Sequence, residues 1–472
     1  MAGFYVNKLR LAKLMKARVN KTFEALFAVG VDEMSWDDLL PDSFQWPTIE
    51  EVAKFRAEVK ARVEQVIMDK ENEFKLPIDW ENPFWAVVMG CEHERIHLET
   101  SSVLIRQLPL SVLRGDVESV RRFWNVCDSI DTKSAPDNEL LPVLTEPAVR
   151  TIGKAYNDRL YGWDNEYGRH DHTVQPFKAS KFLVSHLEYL GFIQDGGYTK
   201  DKLWTEEGWN WVKFRKPRHP LFWIEVVEMP LITTAEEDKD SVVVRVNATT
   251  FEVREVDAGE HSAIFQRVAA KSAPTQKYLR SFSPRGYYYL LPSSNMSESL
   301  LQDKFLFRNM ISLSALPWNW PVEVNNLEAK AFTNYLTAKT GKRIRLPTEE
   351  EYYVLNSQIA EDQPDWNKAP GNINLEHFCS SSPIDLFPPT QAGFYDVIGN
   401  VWQHTETPID AYQGFRVHPI YEDFSLPTFD LNHNLMKVCV LVVRWLFGEM
   451  TILMLLLVVV CGVGRKLDQH GE

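Results

Sequence analysis

Apolar residues that recur every three to four positions predict three long helices in the first part of the chain. These helices cover residues 4–19, 49–68 and 85–108, and a shorter fourth segment, 117–126, closes the region. The first two segments alternate apolar and charged faces, as expected of helices that bury one side. Antiparallel packing into an all-α bundle is the simplest arrangement for them.

The pattern changes at residues 131–146, where Ser, Pro, Asp, Asn and Glu predominate and predict a linker. Beyond it the apolar runs are short and broken by turn residues, with a strand-like run at 241–246 and an amphipathic helix at 326–340. This pattern predicts a loop-rich α+β domain. The predicted organisation is multidomain, with a helical bundle at 1–133, an α+β domain at 139–430 and a divergent hydrophobic tail at 431–472.

Composition and charge exclude some classes of function. A chain of 472 residues is long enough for two or three domains. Its formal charge of −14 repels phosphate backbones, so no nucleic-acid partner is expected. The five cysteines are widely spread and include no Cys-x-x-Cys pair, which argues against a disulfide scaffold or zinc ribbon and favours a cytoplasmic location.

The tail raises a second possible location. Residues 438–464 are largely apolar, but a membrane-spanning helix needs about 20 apolar residues, and the uncharged stretch 450–464 is shorter than that. Extending it upstream includes Glu449 and Arg444. Membrane association through 438–464 is therefore an alternative to a cytoplasmic protein.

The strongest chemical signal is His93-Glu94-Arg95-Ile96-His97 within the third predicted helix. Histidines four residues apart project from one face, as a shared metal ion requires. His-Glu-x-x-His is also the signature of zinc peptidases, in which the Glu is the general base. No His follows within a short Gly-containing turn, as in metzincins, and the candidates for a third zinc ligand are Glu residues that look exposed. A pair that is merely buried and hydrogen-bonded is another interpretation.

Glu99 extends the motif to His-x-x-x-His-x-Glu. On an ideal helix Glu99 lies about 240° around the axis from His93, so a second-shell or structural role is expected rather than direct ligation. A third ligand must come from elsewhere, and His170 and His172 are candidates.

Several segments carry a family resemblance. The helical region with His-x-x-x-His-x-Glu resembles the DinB-like domain of the sulfoxide synthases of ovothiol and ergothioneine biosynthesis. The α+β region looks like the formylglycine-generating-enzyme (sulfatase-modifying, C-type-lectin-like) fold joined to it. The segments that carry this second likeness are Tyr161-Gly162-Trp163-Asp164-Asn165-Glu166, Gly196-Gly197-Tyr198, Trp204-Thr205-Glu206-Glu207-Gly208-Trp209, Pro321-Val322-Glu323-Val324-Asn325, Arg345-Leu346-Pro347-Thr348-Glu349 and Gly399-Asn400-Val401-Trp402-Gln403.

Residues 30–39, 414–418 and 421–425 look like the ovothiol branch. The resemblance implies an Fe(II) cofactor and an O2-dependent reaction that joins cysteine to the imidazole ring of histidine as a sulfoxide. Three His hold the iron in that family, and His93 and His97 match two of them. Tyr421 matches the active-site tyrosine that supplies a proton or hydrogen atom, with Tyr412 as the second choice. Aromatic packing of a loop is the competing interpretation for either tyrosine.

The chain also departs from the family pattern. The family's first iron-binding His precedes the segment that matches residues 4–9, and no counterpart stands here. The tail replaces the family's C-terminal core segment, and no methyltransferase domain follows. We therefore expect the activity to be impaired by truncation at both ends. A non-catalytic isoform that binds a partner or a membrane through the tail is the alternative, and a zinc peptidase is the third candidate.

Overall fold

The computed structural model describes most of the chain, with gaps. The described residues are 2–27, 46–69, 72, 77–108, 127, 134–158, 161–230, 244–247, 252–255, 275–280, 287–289, 304–310, 313–357, 371–373, 375, 377–429, 431 and 433–437. The predicted segment 117–126 and the apolar stretch 438–464 lie outside them. Within the described part of the chain, every helix is too short or too polar to cross a lipid bilayer.

The N-terminal region is α-helical. Its helices are α1 (Ala2–Leu11), α2 (Lys21–Leu26), α3 (Ile49–Met68) and α4 (Trp85–Gln107). The sequence prediction is confirmed for α3 and for α4. Thr48 starts α3 because its side chain accepts a hydrogen bond from the Glu51 amide, while the Glu51 carboxylate accepts one from the Thr48 amide.

The first predicted helix is shorter than expected. Helix α1 ends at Leu11, whereas the apolar pattern predicted helix to residue 19. Lys13 takes a left-handed conformation with φ 62°, and the Leu14 amide donates to the Leu9 carbonyl at 2.9 Å. This is the hydrogen bond that closes a helix C-terminus. The prediction was wrong here because local capping is invisible in hydrophobic periodicity.

Helices α1, α3 and α4 share one hydrophobic core. Helix α3 buries Phe55, Val59, Val63 and Val66, which recur at helical spacing. Gly90 lets α1 approach α4 closely, because a Cβ at this position would lie 2.2 Å from the Tyr5 ring. The helix carrying His93 is therefore fixed against α1 one turn before the histidine.

The rest of the described chain is an α+β region, as predicted. Its strands are β1 (Leu140–Leu144), β2 (Ala148–Ile152), β3 (His170–Val174), β4 (Phe177–Ser180), β5 (Trp223–Pro230), β6 (Val244–Asn247), β7 (Glu252–Glu255), β8 (Thr275–Arg280), β9 (Tyr287–Tyr289), β10 (Phe305–Arg308), β11 (Leu313–Ala315), β12 (Gln403–Pro408) and β13 (Asn434–Lys437). Seven strands form one sheet in the order β11-β10-β5-β8-β9-β6-β7. Its pairs are antiparallel apart from β6 with β9. The other strands form the antiparallel pairs β1-β4, β2-β3 and β12-β13.

The helices of this region are α5 (His186–Gln194), α6 (Glu206–Arg215), α7 (Asn326–Thr340), α8 (Glu349–Asn356) and α9 (Glu422–Thr428). Helix α7 has the bounds predicted from its amphipathic pattern. It contributes the buried Glu328 to the core formed with α5, and the Tyr198 hydroxyl donates to that carboxylate at 2.5 Å.

Strand β13 carries the packed structure past residue 430, where the sequence interpretation placed the start of a divergent tail. The Thr405 hydroxyl donates to the Leu435 carbonyl at 2.7 Å, and Lys437 forms an ion pair with Glu349. The first residues of the predicted tail are thus part of the α+β region.

Helix α4 is joined to the α+β region at its C-terminal end. The Arg106 side chain donates to the Arg308 carbonyl at 3.1 Å and forms an ion pair with Glu323. Its guanidinium also lies 3.6 Å from the centre of the Phe222 ring. These contacts span more than a hundred residues of sequence and fix the orientation of α4 against the second region.

Candidate functional site

Helix α4 brings His93 and His97 together on one face. Their ring centres are 4.6 Å apart and the ring planes are nearly perpendicular, at 86°. Phe4 of α1 stacks on His93 at 4.0 Å with an interplanar angle of 11°. Stacking covers a face of the imidazole but not the lone pair of its unprotonated nitrogen, which lies in the ring plane and can bind a ligand.

Burial keeps these imidazoles neutral. His93 is 7% exposed, and burial, with the neighbouring His97, lowers the pKa of its imidazole to about 3. Burial also lowers the pKa of the more exposed His97. A metal ion binds the neutral form of His, so both side chains are in the required protonation state at pH 7.

The environment of His93 fits a metal ligand in a second way. Its Nδ1 atom is buried and makes no hydrogen bond within the described structure. An orphaned polar atom in the interior is costly, and a bound group is one way to satisfy it. Two neutral imidazoles at helical spacing suit a divalent transition metal.

In the part of the chain that the structure describes, no third protein ligand joins this pair. Among the described residues, His170 and His172 cluster with Glu350, and no His, Cys, Asp or Glu completes a three-residue group with His93 and His97. The expectation that His170 or His172 lends the missing ligand is therefore wrong for this conformation, because both lie on β3 beside α8.

Glu99 points toward the α+β region. The Trp402 indole nitrogen donates a hydrogen bond to the Glu99 carboxylate. This contact joins α4, one and a half turns after His93, to the loop before β12. It gives Glu99 a defined partner, while its predicted second-shell role stays a prediction.

Tyr421 lies one aromatic ring away from His93. It is 2% exposed and meets the Phe4 ring edge to face at 6.4 Å and 83°. Trp163 lies 5.2 Å away on another side. The buried Lys8 ammonium is 5.1 Å from the Tyr421 ring centre, within cation–π range.

The α+β region holds Tyr421 through a buried carboxylate. Asp164 accepts hydrogen bonds from the Ser425 hydroxyl in α9 and from the His418 amide at 3.2 Å. The Tyr421 amide in turn donates to the His418 carbonyl at 2.8 Å. Asp164 is fully buried, and its two hydrogen bonds anchor both ends of segment 418–425, which carries Tyr421.

Tyr412, the second choice for the active-site tyrosine, lies elsewhere. Its ring is parallel to that of His170 at 6.0 Å, and its hydroxyl donates to Glu349 at 2.7 Å. The structure therefore places Tyr421, and not Tyr412, one aromatic ring away from His93.

Sequence reasoning missed several residues around this site. Tyr161 and Trp85 lie in the same core, and the Tyr161 hydroxyl and the Trp85 indole nitrogen are both buried without a hydrogen-bond partner in the described structure. Tyr161 and Trp163 were part of a quoted family segment, which was the available signal. No sequence pattern indicated that Lys8 belongs to this site, since a lysine is ordinarily exposed.

His418 completes the aromatic layer. Its ring stacks on Trp85 at 3.9 Å and 6°. Its Nε2 lies 3.1 Å from the Trp80 carbonyl, while its Nδ1 accepts from the Ile420 amide at 3.2 Å. One nitrogen donates and the other accepts, so this imidazole is neutral, in keeping with the lowering of its pKa to about 4 by burial.

Comparison with known proteins identifies one part of the chain. Residues 312–421 match the Sulfatase-modifying factor enzyme 1-like domain. This confirms the predicted sulfatase-modifying type of domain for that segment, which contains Trp402 and ends at Tyr421.

Two curated relatives are similar over a short stretch. A hercynine oxygenase of Mycobacterium tuberculosis (strain ATCC 25618 / H37Rv) is 37% identical over 72 residues, which cover 15% of this chain and 17% of the relative. A hercynine oxygenase of Mycolicibacterium thermoresistibile is 32% identical over 72 residues, covering 15% of this chain and 16% of the relative. The chain thus matches about one sixth of the length of these proteins.

Proposed function

We propose that this chain is a non-haem iron enzyme that uses O2 to join the sulfur of cysteine to the imidazole ring of histidine, as a sulfoxide synthase of ovothiol biosynthesis. The observation that carries the proposal is that Phe4 stacks on His93 and meets Tyr421 edge to face, so that one aromatic ring separates Tyr421 from the His93–His97 pair. The similarity to proteins named hercynine oxygenases supports an oxygenase-type reaction.

His93 and His97 would hold the iron, and the orphaned Nδ1 of His93 supports this assignment. When bound, Fe(II) would supply the redox chemistry that activates O2 and the thiolate. The other positions around such a metal would be available to substrates, because the described residues provide only this pair at α4.

The overall reaction balances without another reductant. Cysteine loses its S–H hydrogen and the imidazole loses one ring hydrogen while a carbon–sulfur bond forms. One oxygen atom of O2 ends on sulfur, and the other leaves as water with the two hydrogens. The enzyme must therefore move protons at the reacting carbon and sulfur.

Tyr421 is the residue proposed to carry such a proton. Its ring is held between Phe4 and Trp163, and the Asp164 contacts fix the backbone on both sides of it. A positioned acid or base contributes about 10²- to 10⁴-fold to a rate. The surrounding aromatic rings exclude water, and Lys8 places a positive charge beside the site.

The proposed site lies at the junction of the helical region and the α+β region. Its geometry therefore depends on the contacts that orient α4. Glu99 with Trp402 and Arg106 with Glu323 tie the metal-bearing helix to the region that carries Tyr421. A shift of about 1 Å between such groups can cost about 10²-fold in rate. The proposed role of Glu99 is to hold this alignment.

The test is oxygen uptake by the purified chain after anaerobic loading with Fe(II). We expect uptake that requires both cysteine and histidine, with the sulfoxide product identified by mass spectrometry. A variant with His93→Ala and His97→Ala serves as the control and should show none. Failure of the intact chain to bind iron, or uptake that persists in the control, would contradict the proposal.

A further inference from the structure

A second group of possible metal ligands lies in the α+β region. It consists of His170 and His172 of β3 and Glu350 in the first turn of α8, with one ligand atom of each within 4.8 Å of the others. None of the three contacts the α4 histidines, and the reaction proposed above does not use them.

The strand pattern explains why the two imidazoles face the same way. Alternate residues of a strand share one face. Asp171, between them, projects to the other side, where it accepts from the Thr151 hydroxyl at 2.6 Å and from Arg169 Nε at 2.8 Å. The His170 and His172 rings consequently lie side by side, with centres 5.6 Å apart and planes 23° apart.

The third group is fixed by a helix cap. Thr348 and Glu351 form a capping box at the start of α8, which sets the position of Glu350 in the first turn of the helix. The Glu350 carboxylate lies 2.8 Å from His170 Nε2, and its side chain is only 13% exposed, against 36% for His170. Burial alone would raise the pKa of Glu350, but hydrogen bonds from its own amide, Thr348 and His170 outweigh it and lower the pKa.

Tyr412 supports the cluster from one side. Its ring lies parallel to the His170 ring, and its hydroxyl is held by Glu349. Glu349 is fixed in turn by Lys437 of β13. The imidazole that would bind a metal is therefore backed by residues that are themselves anchored, a common arrangement around metal ligands.

We propose that His170, His172 and Glu350 bind Zn²⁺. Two imidazoles and a carboxylate are a frequent protein ligand set for zinc, which leaves a fourth position for water. Mg²⁺ and Ca²⁺ prefer oxygen ligands and do not suit two imidazoles. Zinc replaces the hydrogen bond between His170 and Glu350, and the proton on Nε2 moves to Nδ1 or to solvent. The ion then links the β2–β3 hairpin to α8.

The test uses the full chain carrying His93→Ala and His97→Ala, so that zinc cannot occupy α4. After removal of metal with a chelator, ZnCl2 is titrated by calorimetry and CoCl2 by visible absorption. The same titrations are made after adding His172→Ala or Glu350→Gln. His433→Ala, which changes an exposed histidine outside the cluster, is the matched control.

We expect one zinc per chain and a Co²⁺ spectrum typical of mixed nitrogen and oxygen ligands. Affinity should fall at least about tenfold with His172→Ala and with Glu350→Gln, since even indirect partners of a ligand contribute about 10- to 100-fold. Zinc should raise the unfolding temperature of the parent and of the His433→Ala control, but not of the two cluster variants. His172 is exposed, so its replacement should leave the fold intact.

Two results would overturn the proposal. One is the absence of zinc binding by the parent. The other is equal zinc affinity in the parent, His172→Ala, Glu350→Gln and the control, which would show adventitious binding to surface histidines. Because α4 carries no histidine pair in any of these proteins, neither result depends on the iron reaction.

Discussion

The two histidine pairs of this protein differ in the element that carries them and in what surrounds them. His93 and His97 lie four residues apart on a helix, and His93 is buried against Phe4. His170 and His172 lie two residues apart on a strand, partly exposed, with the Glu350 carboxylate beside them.

If both pairs bind metal as proposed, this difference predicts two kinds of metal chemistry. The α4 pair has no carboxylate that completes a three-residue group in the described structure, so substrates can approach a metal held there. The β3 pair has a carboxylate already in place, so three protein ligands are available there and one position is left for water. Proximity to Tyr421 and to buried unpaired polar atoms further distinguishes the α4 pair.

Replacement of one α4 histidine should have the largest effect. His97→Ala should reduce iron-dependent O2 uptake to the background without enzyme, because it removes one of the two proposed iron ligands. Its unfolding temperature should change little, since His97 is exposed. His172→Ala is the matched variant in the other pair and should retain full turnover. Loss of turnover in both variants would mean that the two pairs share one metal.

The two tyrosines provide the next comparison. Tyr421→Phe keeps the packed ring and removes the hydroxyl, and turnover should fall by about 10²-fold with iron binding unchanged. Tyr412→Phe removes a hydroxyl that bonds Glu349 near the β3 pair and should leave turnover within about twofold of the parent. Stopped-flow measurement of product formation distinguishes the two. Equal effects of the two replacements would contradict the assignment of Tyr421.

Phe4→Leu should produce a smaller change in the α4 site. It shortens a side chain that is 7% exposed and stacked on His93, at a cost of about 1 to 2 kcal/mol in the free energy of unfolding. Urea denaturation measures this cost. Zinc affinity at the β3 pair should be unaffected, and a parallel loss there would show that the variant disturbs the whole fold.

Stability should depend on pH with opposite signs at His418 and at Glu328. Burial lowers the pKa of His418 to about 4, so its stabilising effect is lost as pH falls from about 6.5 toward 4. Burial raises the pKa of Glu328 to about 7, so its effect is lost as pH rises from about 4.5 through 7. One group changes the free energy of unfolding by at most about 1.4 kcal/mol per pH unit.

Variants separate these two contributions. His418→Gln should flatten the acid side of a plot of unfolding temperature against pH, and Glu328→Gln should flatten the neutral side. If Glu328→Gln left the neutral side unchanged, the buried carboxylate would already be ionised in the folded protein.

Part of this arrangement could be predicted from sequence. Helices α3, α4 and α7 follow from regular apolar spacing, and the α4 histidines from a motif whose geometry is local. The length of α1 could not be predicted, because the left-handed Lys13 ends it without a glycine. Residues that meet across the two regions, such as Lys8 with Tyr421, gave no periodic signal, since their burial depends on segments far apart in the chain.

The sequence also did not predict that the two histidine pairs lie in separate clusters. His170 and His172 were candidates for the third iron ligand because the sequence does not show where β3 lies. Their grouping with Glu350 depends on the packing of α8 against β3, which joins residues 180 positions apart.

The most direct test of the central claim is electron paramagnetic resonance of the anaerobic Fe(II) protein exposed to nitric oxide, which binds an open iron position in place of O2. If the α4 histidines hold the iron, the signal of an iron–nitrosyl adduct should appear in the parent and in the variant with His170→Ala and His172→Ala, and should be absent in the variant with His93→Ala and His97→Ala. An adduct that survives loss of the α4 histidines but disappears with the β3 histidines would contradict that assignment.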